Sequence, residues 1–275
     1  MAASCFRMKG ADIHTLAQLL GHKDFRIAAH YQHLSGIILL AQNLGRTIIV
    51  ETSELAKLIK SRRSIRAWQD KPVPEELLLQ AVELATWAPN GANAQIWYFF
   101  IVLDKKVIKA IGDTAVANQS AMAQWPEMAR TGGFMPPRPA LGTAPIPQPQ
   151  RHPLEKAPAM ILVGVKKREN PINKVIAERA KVDERAAQML QWSLSLNPNM
   201  QSVSAGIAYL LLVLHQMGLG ATWMTGPLSQ SKGDVEKILN IPADMDLIAL
   251  IPVGYPLDSP NGTRRPVSEV SKVIK

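Results

Sequence analysis

Cysteine is almost missing from this chain. Cys5 is the single one among 275 residues, which excludes an internal disulfide framework and a Cys-rich zinc module. Long apolar runs are missing as well. The stretches Gly36–Ala41 and Ala205–Leu214 fall well short of the ~20 residues that a membrane helix needs. Lys9, Asp12 and His14 interrupt any apolar signal-peptide core at the start, so the expectation is a cytoplasmic protein with no membrane partner. Long blocks of like charge and internal repeats are also absent, and no Ser-His-Asp set, CxxC or HExxH motif stands out. The sequence thus offers neither a hydrolase nucleophile nor a zinc-hydrolase signature.

What remains is an ordinary globular balance, 47% hydrophobic and 19% charged, in a chain long enough for one or two domains. The net charge is +9. The basic residues come in small groups, Arg62-Arg63, Lys166-Lys167-Arg168 and Arg264-Arg265. Nucleic-acid proteins concentrate such charge with aromatics or a groove-reading helix. Here it is spread out, which argues against a nucleic-acid partner. A phosphorylated cofactor or a solvated face accounts for the surplus as well.

The chain reads as two unequal parts. Residues 1–50 hold four of the six histidines, His14, His22, His30 and His33, followed by an apolar tract. From residue 51 to 275 the pattern is that of an α+β domain. Helices are predicted at Thr52–Ser61, from Pro74 to before Pro89, at Asp183–Leu196, Gln201–Met217 and Ser231–Leu239. Strands are predicted at Trp97–Leu103, Ala159–Val165, Gly220–Met224 and Leu247–Val253. Strands separated by several helices, without a βαβ rhythm, favour α+β over a doubly wound sheet. The stretch Pro126–Pro158 carries nine of the 20 prolines, which excludes regular structure there and makes it a candidate lid.

Four runs carry chemistry. Ser61-Arg-Arg-Ser-Ile-Arg66 ends the first helix; guanidinium forks and a hydroxyl suit phosphate, and C-terminal arginines also suit the helix dipole. Ala88-Pro-Asn-Gly-Ala-Asn-Ala-Gln-Ile-Trp97 is a turn that places Asn93 and Gln95 before a strand, where amides can read the edge of a heteroaromatic ring. Gly218-Leu-Gly-Ala-Thr-Trp-Met-Thr-Gly-Pro227 has glycines after a helix and before a strand, the reverse of a dinucleotide fingerprint, so Gly218 reads as a helix stop. Thr225-Gly-Pro can bring a backbone N–H close to a ligand. Gly254-Tyr-Pro256 leads to Asn261-Gly-Thr-Arg-Arg-Pro266, a second arginine pair. Tyr98, Tyr209 and His215 are candidate proton donors, but each lies in a predicted core element and reads as structural.

In this order, over about residues 52–275, the four runs resemble the FMN-dependent nitroreductase family. The resemblance implies a mixed central sheet flanked by helices, in an intertwined homodimer with FMN at the subunit interface. It implies that Arg62, Ser64 and Arg265, with Arg63 and Arg264 beside them, hold the FMN phosphate, and that Arg66 sits near the pyrimidine edge. Pro89, Asn90, Gly91 and Asn93, with Gln95, would reach in from the second subunit. Asn118 would be a further contact, and Thr225 and Gly226 would present backbone groups near the flavin N5. Asn90 stands where the family usually has Ser, and Ile96 where it has Pro. The implied activity is hydride transfer from NADH or NADPH through FMN to a nitroaromatic, quinone or related acceptor in a ping-pong scheme. No side chain need be catalytic. Relatives with the same fold also dehalogenate or break down flavin.

Residues 10–35, which include Leu19-Leu-Gly-His22 and His30-Tyr-Gln-His33, resemble the tail of a phage-type tyrosine recombinase, with His22 and Tyr31 in the places of its active-site histidine and nucleophile. His30 replaces the usual Arg and the rest of the catalytic domain is absent. Without arginines to stabilise the reacting phosphate the fragment reads as an inactive remnant, the alternative being a DNA-binding, recombinase-derived protein that acts through residues 10–35, and its histidines are accounted for without a metal. Deleting residues 1–46 is therefore expected to leave the flavin content per mole of protein unchanged, as read by absorbance after denaturation. A drop would show that the segment takes part in the site.

Overall fold

The structure, a computed structural model, describes residues 53–128, 153–167 and 170–274. The recombinase-like segment and most of Pro126–Pro158 lie outside the described residues. The chain divides into two units, Met1–Lys57 and Leu58–Lys275. In chain order the elements are α1 (Ser53–Ser61), α2 (Glu75–Ala85), β1 (Trp97–Val102), α3 (Lys105–Ala123), β2 (Ala159–Lys166), α4 (Pro171–Arg179), α5 (Glu184–Leu196), α6 (Pro198–Gln216), β3 (Gly220–Ala221), α7 (Gly226–Ile238), β4 (Met245–Gly254) and α8 (Val267–Val270). A short 3₁₀ turn covers Gly91–Asn93.

The sheet of the second unit has the order β1-β2-β4-β3 and is antiparallel at every strand pair. Among the described residues its parallel component is one bridge, Ser64 to Ala221. β3 is shorter than the predicted Gly220–Met224. The chain leaves the ladder after Ala221 and rejoins it at Met224, which pairs with Leu250 in the same register.

Layering follows from side-chain alternation. In β2, Ala159, Ile161, Val163 and Val165 face a core shared with α2 and α6, while Met160 and Leu162 face a second core. That second core takes Ile108 and Ile111 from α3 and Leu228 and Val235 from α7. Both faces of β2 are covered, so its sequence reads as a continuous apolar run rather than an alternating one. A bulge where Val163 and Gly164 meet β4 inserts one extra residue there. It is the reason Leu247 and Leu250 share a face although their spacing is odd.

Helix ends are fixed by short polar side chains. Asp104 accepts from Lys106 N–H, Asn170 from Ile172 N–H and Asp183 from Ala186 N–H. Asn197 serves two helices: it sits at φ 40° as the left-handed end of α5 and caps α6 through Met200 N–H, followed by Pro198. This cap starts α6 three residues before the predicted Gln201. At the other end of α6, Gly218 adopts φ +77° while its N–H and that of Leu219 return to His215 and Leu214, a glycine stop as predicted.

Leu210 of α6 is fully buried between α2 and the sheet. Leu210→Ala is expected to cost about 2–5 kcal/mol through lost transfer energy and the cavity left behind, read as a lower denaturation midpoint in urea.

Candidate functional site

The arginine run at the end of α1 is held by backbone rather than by its own charges. Ile65 N–H donates to Ala221 O (3.1 Å), Gln69 N–H to Tyr255 O (2.9 Å) and Leu257 N–H to Ala67 O (3.1 Å). The buried Trp68 indole N–H donates to Gly220 O at 2.8 Å. Ile65 and Trp68 therefore anchor residues 62–68 along β3 and beside the exit of β4. Gly220 is required there: a Cβ would sit 2.7 Å from Ile65 Cγ1, a contact that the branched, buried Ile65 cannot relieve.

The second arginine pair comes to the same place. A Cβ at Gly262 would lie 2.9 Å from Arg63 Nε, so the tail runs against the Arg63 side chain. Arg62 is half-buried; burial first, then the charges of Arg264 and Arg63, pull its guanidinium below the ordinary arginine range. It remains a cation. Arg63 donates to Lys60 O (2.6 Å) and Arg62 O (2.8 Å) and closes the end of α1, the dipole role that its position allows. Arg66 is exposed, 3.5 Å from Ser64 O. Arg265 follows Arg264 on the exposed tail. Among the described residues no carboxylate pairs with any of these arginines. Gathered cations without a counter-charge are the donor set of an anion site.

His215, read from the sequence as structural, stands beside the arginine run. It projects from the last turn of α6, half-buried, with Nε2 2.8 Å from Ser61 Oγ. Burial first, then Arg62 and Arg63, hold its ring below the ordinary imidazole range. The separation of 154 residues between the two partners left no sequence signal. Tyr98 and Tyr209, expected as structural core residues, instead stand 50% and 43% exposed. Their elements are buried, but these two positions face outward.

Thr225 and Gly226 open α7, both exposed, and nothing lies within 4 Å of a Cβ built on Gly226. Ser229 engages both carbonyls, its N–H donating to Thr225 O and its hydroxyl to Gly226 O, so it is the exposed N–H side of this backbone that can meet a ligand. Asn118 stands apart. It lies on α3 and spends its amide hydrogens on Thr114 O and Asp234 of α7, roughly 12 Å along α7 from Gly226.

The turn Pro89–Gln95 is strained. Ala92, Asn93 and Gln95 all have positive φ, at 53°, 50° and 44°, a left-handed setting that costs non-glycine residues of order 1 kcal/mol or more each. Asn90 organises it, accepting from Gln95 N–H (2.9 Å) and donating to Ala88 O (3.2 Å), while Gly91 N–H donates to Ser202 Oγ at the start of α6. This turn and the arginine run lie at opposite ends of one chain's sheet. Trp97 follows the turn and pairs with Val165, which pairs with Asp246, whereas Ser64 pairs with Ala221, which pairs with Val253. From Asp246 to Val253 is roughly 23 Å.

A cavity of about 350 Å³ opens near the turn's end of the sheet, lined by residues including Lys166, Asn197, Met200 and Asp246. Its charges are already engaged, Lys166 with Asp244, Lys167 with Ala243 O and Asp246 with Lys232. The arginine cluster is the better ligand site: Arg63 and Arg264 donate to backbone carbonyls, but among the described residues no carboxylate neutralises the cluster, whereas Lys166 and Asp246 of the cavity are ion-paired. Inorganic phosphate is accordingly expected to raise the melting temperature more than chloride does at equal ionic strength, by differential scanning fluorimetry. Arg62→Gln with Arg264→Gln should abolish that excess without lowering the melting temperature in chloride, since the substitutions relieve repulsion.

The chain is 25% identical to a putative NADH dehydrogenase/NAD(P)H nitroreductase of Methanothermobacter thermautotrophicus, over 78% of this chain and 83% of that protein. Its fold matches a BluB-like flavoprotein from Clostridium difficile 630 with a TM-score of 0.61 at 22% identity, covering 81% of this chain and all of that one. It also matches an iodotyrosine deiodinase bound to FMN and 3-iodo-L-tyrosine, with a TM-score of 0.54 at 26% identity, covering 80% and 97%. The nitroreductase family model spans residues 59–255, from the arginine run to the exit of β4, and the chain belongs to the nitroreductase family.

Proposed function

We propose that this protein is an FMN-dependent oxidoreductase that passes reducing equivalents from NADH or NADPH to a nitroaromatic, quinone or related acceptor. The observation that carries the reading is the convergence of Arg62, Arg63 and Arg264 with no carboxylate pairing them among the described residues. Such a set fits a phosphate monoester, which brings up to two negative charges and several acceptor oxygens. Arg62, Arg63, Arg264 and Arg265 hold that phosphate, with Ser64 as a hydroxyl donor and Arg66 reaching the ring system from its exposed position. Thr225 and Gly226 offer open backbone at the start of α7, where the helix dipole favours negative charge. When bound, FMN supplies the acceptance and return of hydride, and the chain supplies binding, orientation and electrostatics.

The active unit of this proposal is a homodimer. Pro89, Asn90, Gly91, Asn93 and Gln95 lie too far from their own chain's arginine run to share a ligand with it. In a two-chain site they serve the flavin held by the other copy, and their rigid strained turn suits that positioning. Exposed apolar side chains on α4 and α5 (Ile172, Val175, Trp192 and Leu194) and on the tail (Val267 and Ile274) provide surface for a second copy to cover. Asn118 contributes by orienting α7 through Asp234.

A second reading, reductive dehalogenation with the same cofactor, is supported by the likeness to the iodotyrosine deiodinase. The discriminating experiment is steady-state turnover with flavin content measured on the same sample. The expected result is a yellow protein holding about one FMN per chain, parallel double-reciprocal lines for NAD(P)H against a quinone or nitroaromatic, and lower FMN occupancy in Arg62→Ala with Arg265→Ala. Release of iodide from 3-iodotyrosine, with negligible nitroaromatic turnover, would favour the second reading. A preparation that stays colourless in excess FMN would overturn both.

A further inference from the structure

We infer that His215 is a proton-carrying member of the phosphate site: it is neutral while the arginine cluster stands alone and takes up a proton as the phosphate group of FMN arrives, so that FMN binds more tightly as pH falls. The inference rests on the FMN reading above and adds to it a residue and a linked proton.

The Ser61 hydroxyl lies 3.2 Å from Leu58 O and 2.8 Å from His215 Nε2. When the hydroxyl donates to Leu58 O, Nε2–H donates to its oxygen and Nδ1 carries the lone pair that titrates; in the other tautomer the hydroxyl donates to Nε2 instead. The charged groups around the ring are cationic. Arg62 and Arg63 act on it from the end of α1, Arg264 from the tail acts on Arg62, and Lys60 precedes Ser61 on the exposed face of α1. On its own side, α6 ends at Gln216, and the segment Met217–Ala221 that follows is uncharged. No carboxylate among the described residues offsets these cations.

An imidazolium in this setting is unfavourable until negative charge enters. A phosphate supplies that charge, and the end of a helix, where α6 places His215, favours a cation once the competing repulsion is offset. The sign follows from linkage. The ring's proton affinity is low in the ligand-free protein and higher in the complex, so binding takes up a proton from solvent between the two pKa values. Across that window the dissociation constant falls as pH falls. FMN's own phosphate works the other way, losing charge below a second pKa of about 6, so the effect is read above that value.

The test measures FMN binding to flavin-free protein by fluorescence quenching between about pH 6.5 and 8, a window set by that phosphate pKa. Calorimetry in buffers of different ionisation heat counts the protons. His215→Gln is the comparison, because its side-chain amide keeps a donor for Ser61 but cannot titrate. The wild type should take up a fraction of a proton per FMN and tighten by up to about tenfold per pH unit, while His215→Gln takes up none and loses the slope. Riboflavin, which lacks the phosphate, should show no His215-dependent slope. NMR on the wild type provides a measurement free of any substitution, in which the His215 titration should move to higher pH on saturation with FMN. Equal slopes and proton counts in the two proteins, an unmoved His215 titration, or a His215-dependent slope with riboflavin would each overturn the inference alone. Failure of the wild type to bind FMN at all would overturn the FMN reading along with it.

Discussion

Like charges separate unless something holds them, and here the restraint is a short length of backbone. The Ile65 to Ala221 hydrogen bond, the Trp68 indole donating to Gly220 O, and the Gln69 and Leu257 bonds across the β4 exit lock residues 62–69 beside β3. Everything cationic in the site hangs from that seam: Arg62 and Arg63 precede Ile65, and Arg264 arrives on a tail that β4 delivers to the same place. The apolar anchors Ile65 and Trp68, with Ala157, form their own small buried cluster, so the hydrophobic effect opposes the electrostatic repulsion. A site of this kind gives up some stability in the empty state for affinity in the filled one.

The antiparallel sheet also separates the functional motifs. Placing the strained turn at the Asp246 end of β4 and the arginine run at its Val253 end puts the two motifs roughly 23 Å apart. α6 repeats the separation, with Ser202 near its start touching the turn and His215 near its end touching Ser61. This rigid scaffold makes two chains part of the functional proposal: neither end of the sheet holds every motif.

Much of this was legible from sequence where the signal is local. The glycine stop at Gly218, the two apolar inner strands and the helices α2 and α5 follow from turn chemistry and periodicity. α3 was readable but unread: Asp104 is an ordinary helix cap and Ile108, Ile111, Gly112 and Ala115 form its buried stripe. The start of α6 was misplaced because Asn197-Pro198 is at once a helix end and a helix start. What could not be read is non-local. Nothing near Ser61 announces His215, and nothing near Asn118 announces Asp234, since those pairings depend on how helices pack. The exposure of Tyr98 and Tyr209 has a related cause, because a buried element still has an outward face. The four motif runs were legible as a set, whereas the approach of Arg264 to Arg62 needed the path of the tail.

The bulge at Val163 and Gly164 has a bearing on how this protein can change. Because the extra residue resets the inward and outward alternation, the two halves of β4 are out of phase with each other. Single-residue insertions or deletions beyond Ile248 would rotate only the half that leads to the tail, while those before it would disturb only the half beside Lys166. The kink therefore works as a buffer between the two ends of the molecule, letting one rim diversify while the opposite rim keeps its alignment.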